Sequence, residues 1–206
     1  MYLFNKTPIQ TRFEKSDKEI QSELNKITDK ELLSSDLEKI ADRIVQQYSI
    51  VCDAEFSTED VKINSYLISI PIAEFPLEQQ VGARHEYYEV VAVDYTFKIN
   101  GDHTFLLNMP TNRDFSPIRG QAGPNELTLT VVTKYTRIPL SEEWEKQVKD
   151  TIKRLVPEVK ARINILKEEC EIRNVNIKPN VLSILEKEKR KLIAKMEHDA
   201  KLNPFK

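Results

Sequence analysis

At 206 residues, 40% hydrophobic and 31% charged, the chain has enough apolar material for one sizeable core and is too short for several independent enzymatic domains. Four glycines argue against a glycine-rich nucleotide-binding design, no window approaches the roughly 18 consecutive apolar residues of a membrane span, and the N-terminus MYLFNKTPIQ is not a cationic lead into an apolar stretch, so a cytoplasmic protein is expected. The net charge of -2 is uneven, with 15 Lys/Arg against 21 Asp/Glu over residues 1–140 and 16 against 12 over residues 141–206, a surplus far below the footprint of a dedicated DNA binder.

Two helices are expected at the N-terminus. Ser16-Asp17-Lys18-Glu19 and Ser35-Asp36-Leu37-Glu38 each place a serine three residues before a glutamate, the reciprocal arrangement that satisfies free amides at a helix start. After the second, Leu37, Ile40, Ala41, Ile44, Val45 and Tyr48 recur at helical steps and form one apolar stripe, with Glu38, Lys39, Asp42 and Arg43 opposite.

From about residue 58 to 138 the period changes to two. Val61, Ile63, Ser65 and Leu67 alternate with Lys62, Asn64 and Tyr66, and the run continues to a Pro71 that belongs at a strand edge or end. Val91, Val93, Tyr95, Phe97 and Ile99 line one face of the longest strand, and Asp94, Thr96 and Lys98 the other. Leu127, Leu129 and Val131 repeat the pattern, so a half-buried antiparallel sheet follows. Residues 110–125, rich in Pro, Gly, Asn and Asp, read as a long loop. Asn100-Gly101 predicts a tight two-residue hairpin turn; Asp102 then bonds nearby amides, Phe105 and Leu106 return to the core, and His103 is left at an exposed tip.

Beyond Ser141 the helical period returns. Trp144, Val148, Ile152, Leu155, Val159, Ile163, Leu166 and Cys170 step by 4, 4, 3, 4, 4, 3 and 4, a coiled-coil-like seam, so Trp144 to Leu166 are candidates for contact with a partner. Pro157 predicts a bend rather than a break. Asn174 to Asn180 predicts a break, after which Leu182, Leu185, Leu192, Ile193 and Met196 mark a second long helix, making a hairpin.

Groupings that carry chemistry are sparse. His85, His103 and His198 have no partner at metal-ligand spacing, and Cys52 and Cys170 belong to no Cys/His cluster, so neither a metal, a cofactor nor a disulfide is expected. Asp94, Asp102 and His103 are the residues a hydrolase would use, although Asp94 reads as part of a solvated face. A nucleic-acid contact would draw on Lys187, Arg190, Lys191 and Lys195 of the last helix, with Arg113 and Arg119 of the loop; Glu186 and Glu188 oppose it.

Asn100-Gly101-Asp102, Phe105-Leu106 and Pro110-Thr111, then Pro117-Ile118-Arg119-Gly120 and Asn125-Glu126-Leu127, resemble the N-terminal module of uncharacterised bacterial, defence-associated proteins. There a strand ending in Thr-Gly-Asp leads to Leu-Phe, Arg-Pro-Ser, a Pro-rich loop and an Asn-Glu-Leu strand. The upstream LEKIADRIVQQYSI and the downstream Leu202-Asn203-Pro204-Phe205 are also similar to theirs, so the likeness runs from about residue 35 to the C-terminus. Asn100 stands where they have Thr, and Met109 where they have Arg. In those longer relatives the module precedes an effector such as a restriction-endonuclease-like domain. The resemblance implies the module without that effector, and brings no catalytic residues with it.

The expectation is thus an α+β protein with N-terminal helices, an antiparallel sheet or small sandwich, and a long C-terminal helical hairpin. Residues 1–140 would form an α+β sheet domain with the N-terminal helices, and residues 141–206 a helical hairpin packed on it or projecting from it, the two expected to make one structural unit. Its expected role is that of a non-enzymatic sensor or interaction module, working with a separate effector subunit or as a homo-oligomer. A nucleic-acid accessory is the alternative.

Overall fold

The computed structural model describes residues 1–74, 86–111 and 115–202 and has the α+β class. In chain order the described elements are β1 (Tyr2–Leu3), β2 (Thr7–Pro8), α1 (Ile9–Leu24), α2 (Asp29–Ser34), α3 (Leu37–Tyr48), β3 (Glu55–Phe56), β4 (Lys62–Pro71), β5 (Tyr87–Asn100), β6 (Asn108–Met109), β7 (Ile118–Ala122), β8 (Glu126–Val132) and α4 (Glu142–Lys201). His85, Arg113 and residues 203–206 lie outside the described residues. The chain divides into two compact units, one of Met1–Pro8 with Cys52–Ile165, the other of Ile9–Val51 with Leu166–Lys206. This cuts across a division at residue 140, because the apolar faces of α1 to α3 are buried with the last part of α4 rather than on the sheet.

The first unit is built on a single antiparallel sheet in the order β1-β7-β8-β5-β3, with β4 also paired to β5. Among the described residues the other strand pairing is the two-stranded β2-β6, so of the two expected forms the antiparallel sheet is the one seen. Alternation sets the two faces: Val91, Val93, Tyr95, Phe97 and Ile99 of β5 are buried, and Val131, Leu129 and Leu127 of β8, also buried, stand opposite Val93, Tyr95 and Phe97 in register. The opposite face is polar toward its centre, where Asp94 stands across from Thr130 and Thr96 from Thr128. Helix α4 supplies Val148, Ile152, Val159 and Ile163 to this unit's core, and Lys160 lies 5.5 Å over the ring of Phe56, itself edge-on to Phe97.

Two expectations for this unit are corrected. The 110–125 segment is not all loop, since Ile118–Ala122 forms β7 between β1 and β8. Gly120 permits it: a Cβ there would meet the Thr128 carbonyl oxygen at 2.4 Å, so only glycine lets the strands approach. Asn100-Gly101 does not close a hairpin either. Asn100 remains in β5 opposite Glu55, Gly101 turns the chain at φ +79°, and Asp102 caps a short 3₁₀ helix, His103–Leu107. Phe105 and Leu106 are buried as expected, but His103 is half-buried rather than at a tip. The chain leaves through β6, which pairs in parallel with β2, while the places beside β5 are held by β8 on one side and by β3 and β4 on the other.

The second unit is helical. Ile20, Leu24, Leu32, Ile40, Ala41 and Ile44 from α1, α2 and α3 are buried with Ile177, Val181 and Leu185 of α4. Helix α1 begins at Ile9, so Ser16 is not a cap; it lies buried mid-helix, its hydroxyl donating to the Tyr48 carbonyl at 3.2 Å. For α3 the cap is Asp36 rather than Ser35, its carboxylate accepting from Glu38 N–H at 3.0 Å, while Ser35 closes α2, a helix the sequence pattern did not reveal.

The C-terminal hairpin is also corrected: α4 is one unbroken helix through both Pro157 and Pro179. Both prolines are exposed. The seam does not stop at Cys170 but continues as Asn174, Ile177, Val181 and Leu185, so burial of that stripe overrides the weak local propensity of NVNIKPN.

Candidate functional site

The candidate partner seam is already used by the chain's own core. Val148, Ile152, Val159, Ile163 and Leu166 are buried, Trp144 and Leu155 half-buried, and Trp144 meets the ring of Tyr135 at 6.2 Å. The spacing that signalled a coiled coil therefore serves intrachain packing, which asks for the same apolar stripe. Uncovered apolar side chains lie elsewhere on α4, at Ile172, Val175, Ile193 and Met196, with Leu202 just beyond it.

The polar sheet face gathers the remaining chemistry of the first unit. Asp94 accepts from Thr130 Oγ1 at 2.7 Å and from the Tyr66 phenol, and Thr96 and Thr128 share a hydrogen bond of 3.2 Å. Burial, then the bond to Asp94 and its negative charge, push the Tyr66 pKa above its ordinary value, with the Arg119 charge opposing. Arg119 donates to Glu74 Oε2 at 2.6 Å and to the Tyr2 hydroxyl at 3.3 Å, and these partners raise its pKa, the Tyr2 bond first. Asp94 thus lies within a closed set of donors and acceptors that ties β4, β5 and β8 together.

A hydrolytic grouping of Asp94, Asp102 and His103 is not assembled. Six residues of strand, roughly 20 Å, separate Asp94 from Asn100, and the Asp102 carboxylate is bonded to Thr104 N–H and Oγ1. Asp102 N–H in turn donates to Asp53 Oδ1 at 2.8 Å, so Asn100, Gly101 and Asp102 form a structural corner. Among the described residues no three His, Cys, Asp or Glu side chains come together as a metal site, and both cysteines are buried and unbridged.

Of the basic candidates, Arg190 is paired with Glu186 at 3.2 Å and Lys191 with Glu188 at 2.6 Å, each within one helical turn. Lys187 and Lys195 are exposed. With Arg119 held by Glu74, the cations do not make one unopposed patch.

Sequence reasoning missed three polar side chains that α4 presents inward. Arg162 is buried, pairs with Glu158, donates to the Ser116 carbonyl at 2.6 Å and stacks 4.6 Å from Phe115. Arg173 donates to the Tyr48 carbonyl at the end of α3 at 3.1 Å and to Asp17 at 2.8 Å, a cation placed where the helix leaves free carbonyls. Asn174 accepts from Ile50 N–H at 3.0 Å and donates to Ile50 C=O at 2.9 Å. Its signal was legible in one respect: Asn174 lies four residues after Cys170 and three before Ile177, on the seam itself.

No family model, no curated protein and no solved structure matches this chain.

Proposed function

We propose that the chain is a non-enzymatic sensor or interaction module, one subunit of a bacterial antiviral defence-type system that acts with a separate effector. The observation that carries this reading is the end of α4. Beyond Leu185, the last residue of the helical core that is fully enclosed, the helix continues to Lys201 with Ile193 and Met196 uncovered. A helix of this kind owes most of its stability to packing rather than to propensity, and uncovered apolar side chains on it are suited to a protein partner. The resemblance of the 100–127 region to the defence-associated module supports the choice of partner class, and the separation of Asp94 from Asp102 and His103 supports a role other than catalysis.

The test is co-expression with the reading frames adjacent to its gene, followed by purification through a tag on this chain. One effector is expected to co-purify in fixed stoichiometry, and Ile193→Asp with Met196→Asp should release it while far-UV circular dichroism stays unchanged. If no adjacent gene product binds, the reading fails.

A further inference from the structure

Strand β4 pairs with β5 over ten consecutive positions, Lys62 with Thr96 through Pro71 with Tyr87, without a bulge. Ile72 N–H donates to Glu86 C=O at 2.8 Å, which fixes the phase of the ladder: even-numbered residues of β4 direct their backbone groups toward β5. The odd-numbered residues Ile63, Ser65, Leu67 and Ser69 therefore direct N–H and C=O outward, and among the described residues no strand pairs with them. Pro71, which has no N–H to offer, falls on the same outward side.

Sheet edges in stable proteins are short, bulged, charged or covered. This edge is ten residues long, regular and charged only at Lys62. Ile63 is 63% and Leu67 45% exposed, and both lie on the same face as the buried Val91, Val93 and Tyr95.

We propose that β4 is a self-association edge, pairing antiparallel with β4 of a second copy of this chain about a two-fold axis at Ser65. That register places Ser65 opposite Ser65 of the second copy, Ile63 opposite Leu67 and Asn64 opposite Tyr66. Every outward-facing residue then meets an outward-facing residue, and the two exposed apolar side chains cover each other. Lys62 faces Ile68, so no like charges meet. The neighbouring register, with its axis at Tyr66, sets Ile63 against Ser69 and Leu67 against Ser65, so neither exposed apolar side chain covers the other. A second copy suits the edge better than a foreign strand because apolar residues flank Ser65 symmetrically, two positions away on each side. The contact is isologous and closes on itself, since the opposite edge of the sheet is β1, only two residues long.

This inference stands apart from the effector reading and is tested on the purified chain alone. A strand-to-strand contact of this size should associate in the micromolar range, visible by sedimentation equilibrium between about 1 and about 300 µM. Paired residues in such a ladder have Cα atoms about 5.5 Å apart, within disulfide reach. Under mild oxidation Ser65→Cys should therefore form a cross-linked dimer and Tyr66→Cys should not; the native cysteines are buried. Leu67→Lys should weaken the dimer roughly tenfold or more, with circular dichroism unchanged. A chain that stays monomeric over that range, with Ser65→Cys uncross-linked, overturns the proposal. So does a dimer that cross-links through Tyr66→Cys instead, or one that Leu67→Lys leaves intact.

Discussion

Asn174 shows how one polar side chain in an apolar row can be structural. Its amide takes both backbone groups of Ile50, which follow the end of α3 and have no helical partner there. Replacing it leaves a donor and an acceptor without the bonds they now make, a loss of about 1–3 kcal/mol. Asn174→Ala should lower unfolding free energy by that amount in urea titrations; a change within about 0.5 kcal/mol would show that water replaces the amide fully. At this scale the sequence was only half readable. The Gly101 corner could be inferred from Asn-Gly-Asp, but not that Gly101 lies against Asp53, whose carbonyl oxygen a Cβ would approach to 2.2 Å. Nothing local distinguishes Arg162 and Arg173 from the other basic residues of a long helix, or tells which arginine finds carbonyls, carboxylates and rings around it.

Among the elements, period decided what could be foreseen. The alternating faces of β5 and β8 and the apolar stripe of α3 were visible because each repeats over several turns or pairs. Two-residue strands such as β1, β2 and β6 carry no period at all, and β7 was hidden among glycine and proline. The supposed break in α4 failed for the opposite reason: local signals at Asn174 to Asn180 were real, but Ile177, Val181 and Leu185 bury the helix through them. The polar face of the sheet has a pH signature. Tyr66 is held neutral by burial and by its bond to Asp94, so its folded pKa lies above the unfolded value of about 10. A group raised in this way contributes fully below pH 10 and loses its contribution as pH climbs through the folded pKa. Tyr66→Phe should therefore be less stable than the parent chain at pH 7, with the gap narrowing above pH 10. A gap that is constant up to pH 11 in denaturant titrations would show that folding does not raise the phenol's pKa.

For the molecule as a whole, charge gives the sharpest expectation. The last stretch of α4 alternates Lys and Arg with Glu, and pairs such as Arg190 with Glu186 neutralise much of it. Binding to duplex or single-stranded nucleic acid should accordingly be weak even at low ionic strength and nearly flat against salt. A steep fall of affinity with added salt would instead reveal several phosphate contacts and revive the nucleic-acid reading. The α+β class was legible from the change of period along the chain, whereas the division into two units was not, because it joins segments that are distant in sequence.

That division also sets a timetable for biosynthesis. The helical unit consists of Ile9–Val51 and Leu166–Lys206, with nearly all of the sheet unit translated between them. Val51 and Val181 are about 130 residues apart, so at roughly 5–20 residues per second the stripe of Ile40, Ala41 and Ile44 waits on the order of ten seconds for the part of its cover that α4 supplies. During that interval the nascent chain offers chaperones a greasy helix that the finished protein conceals.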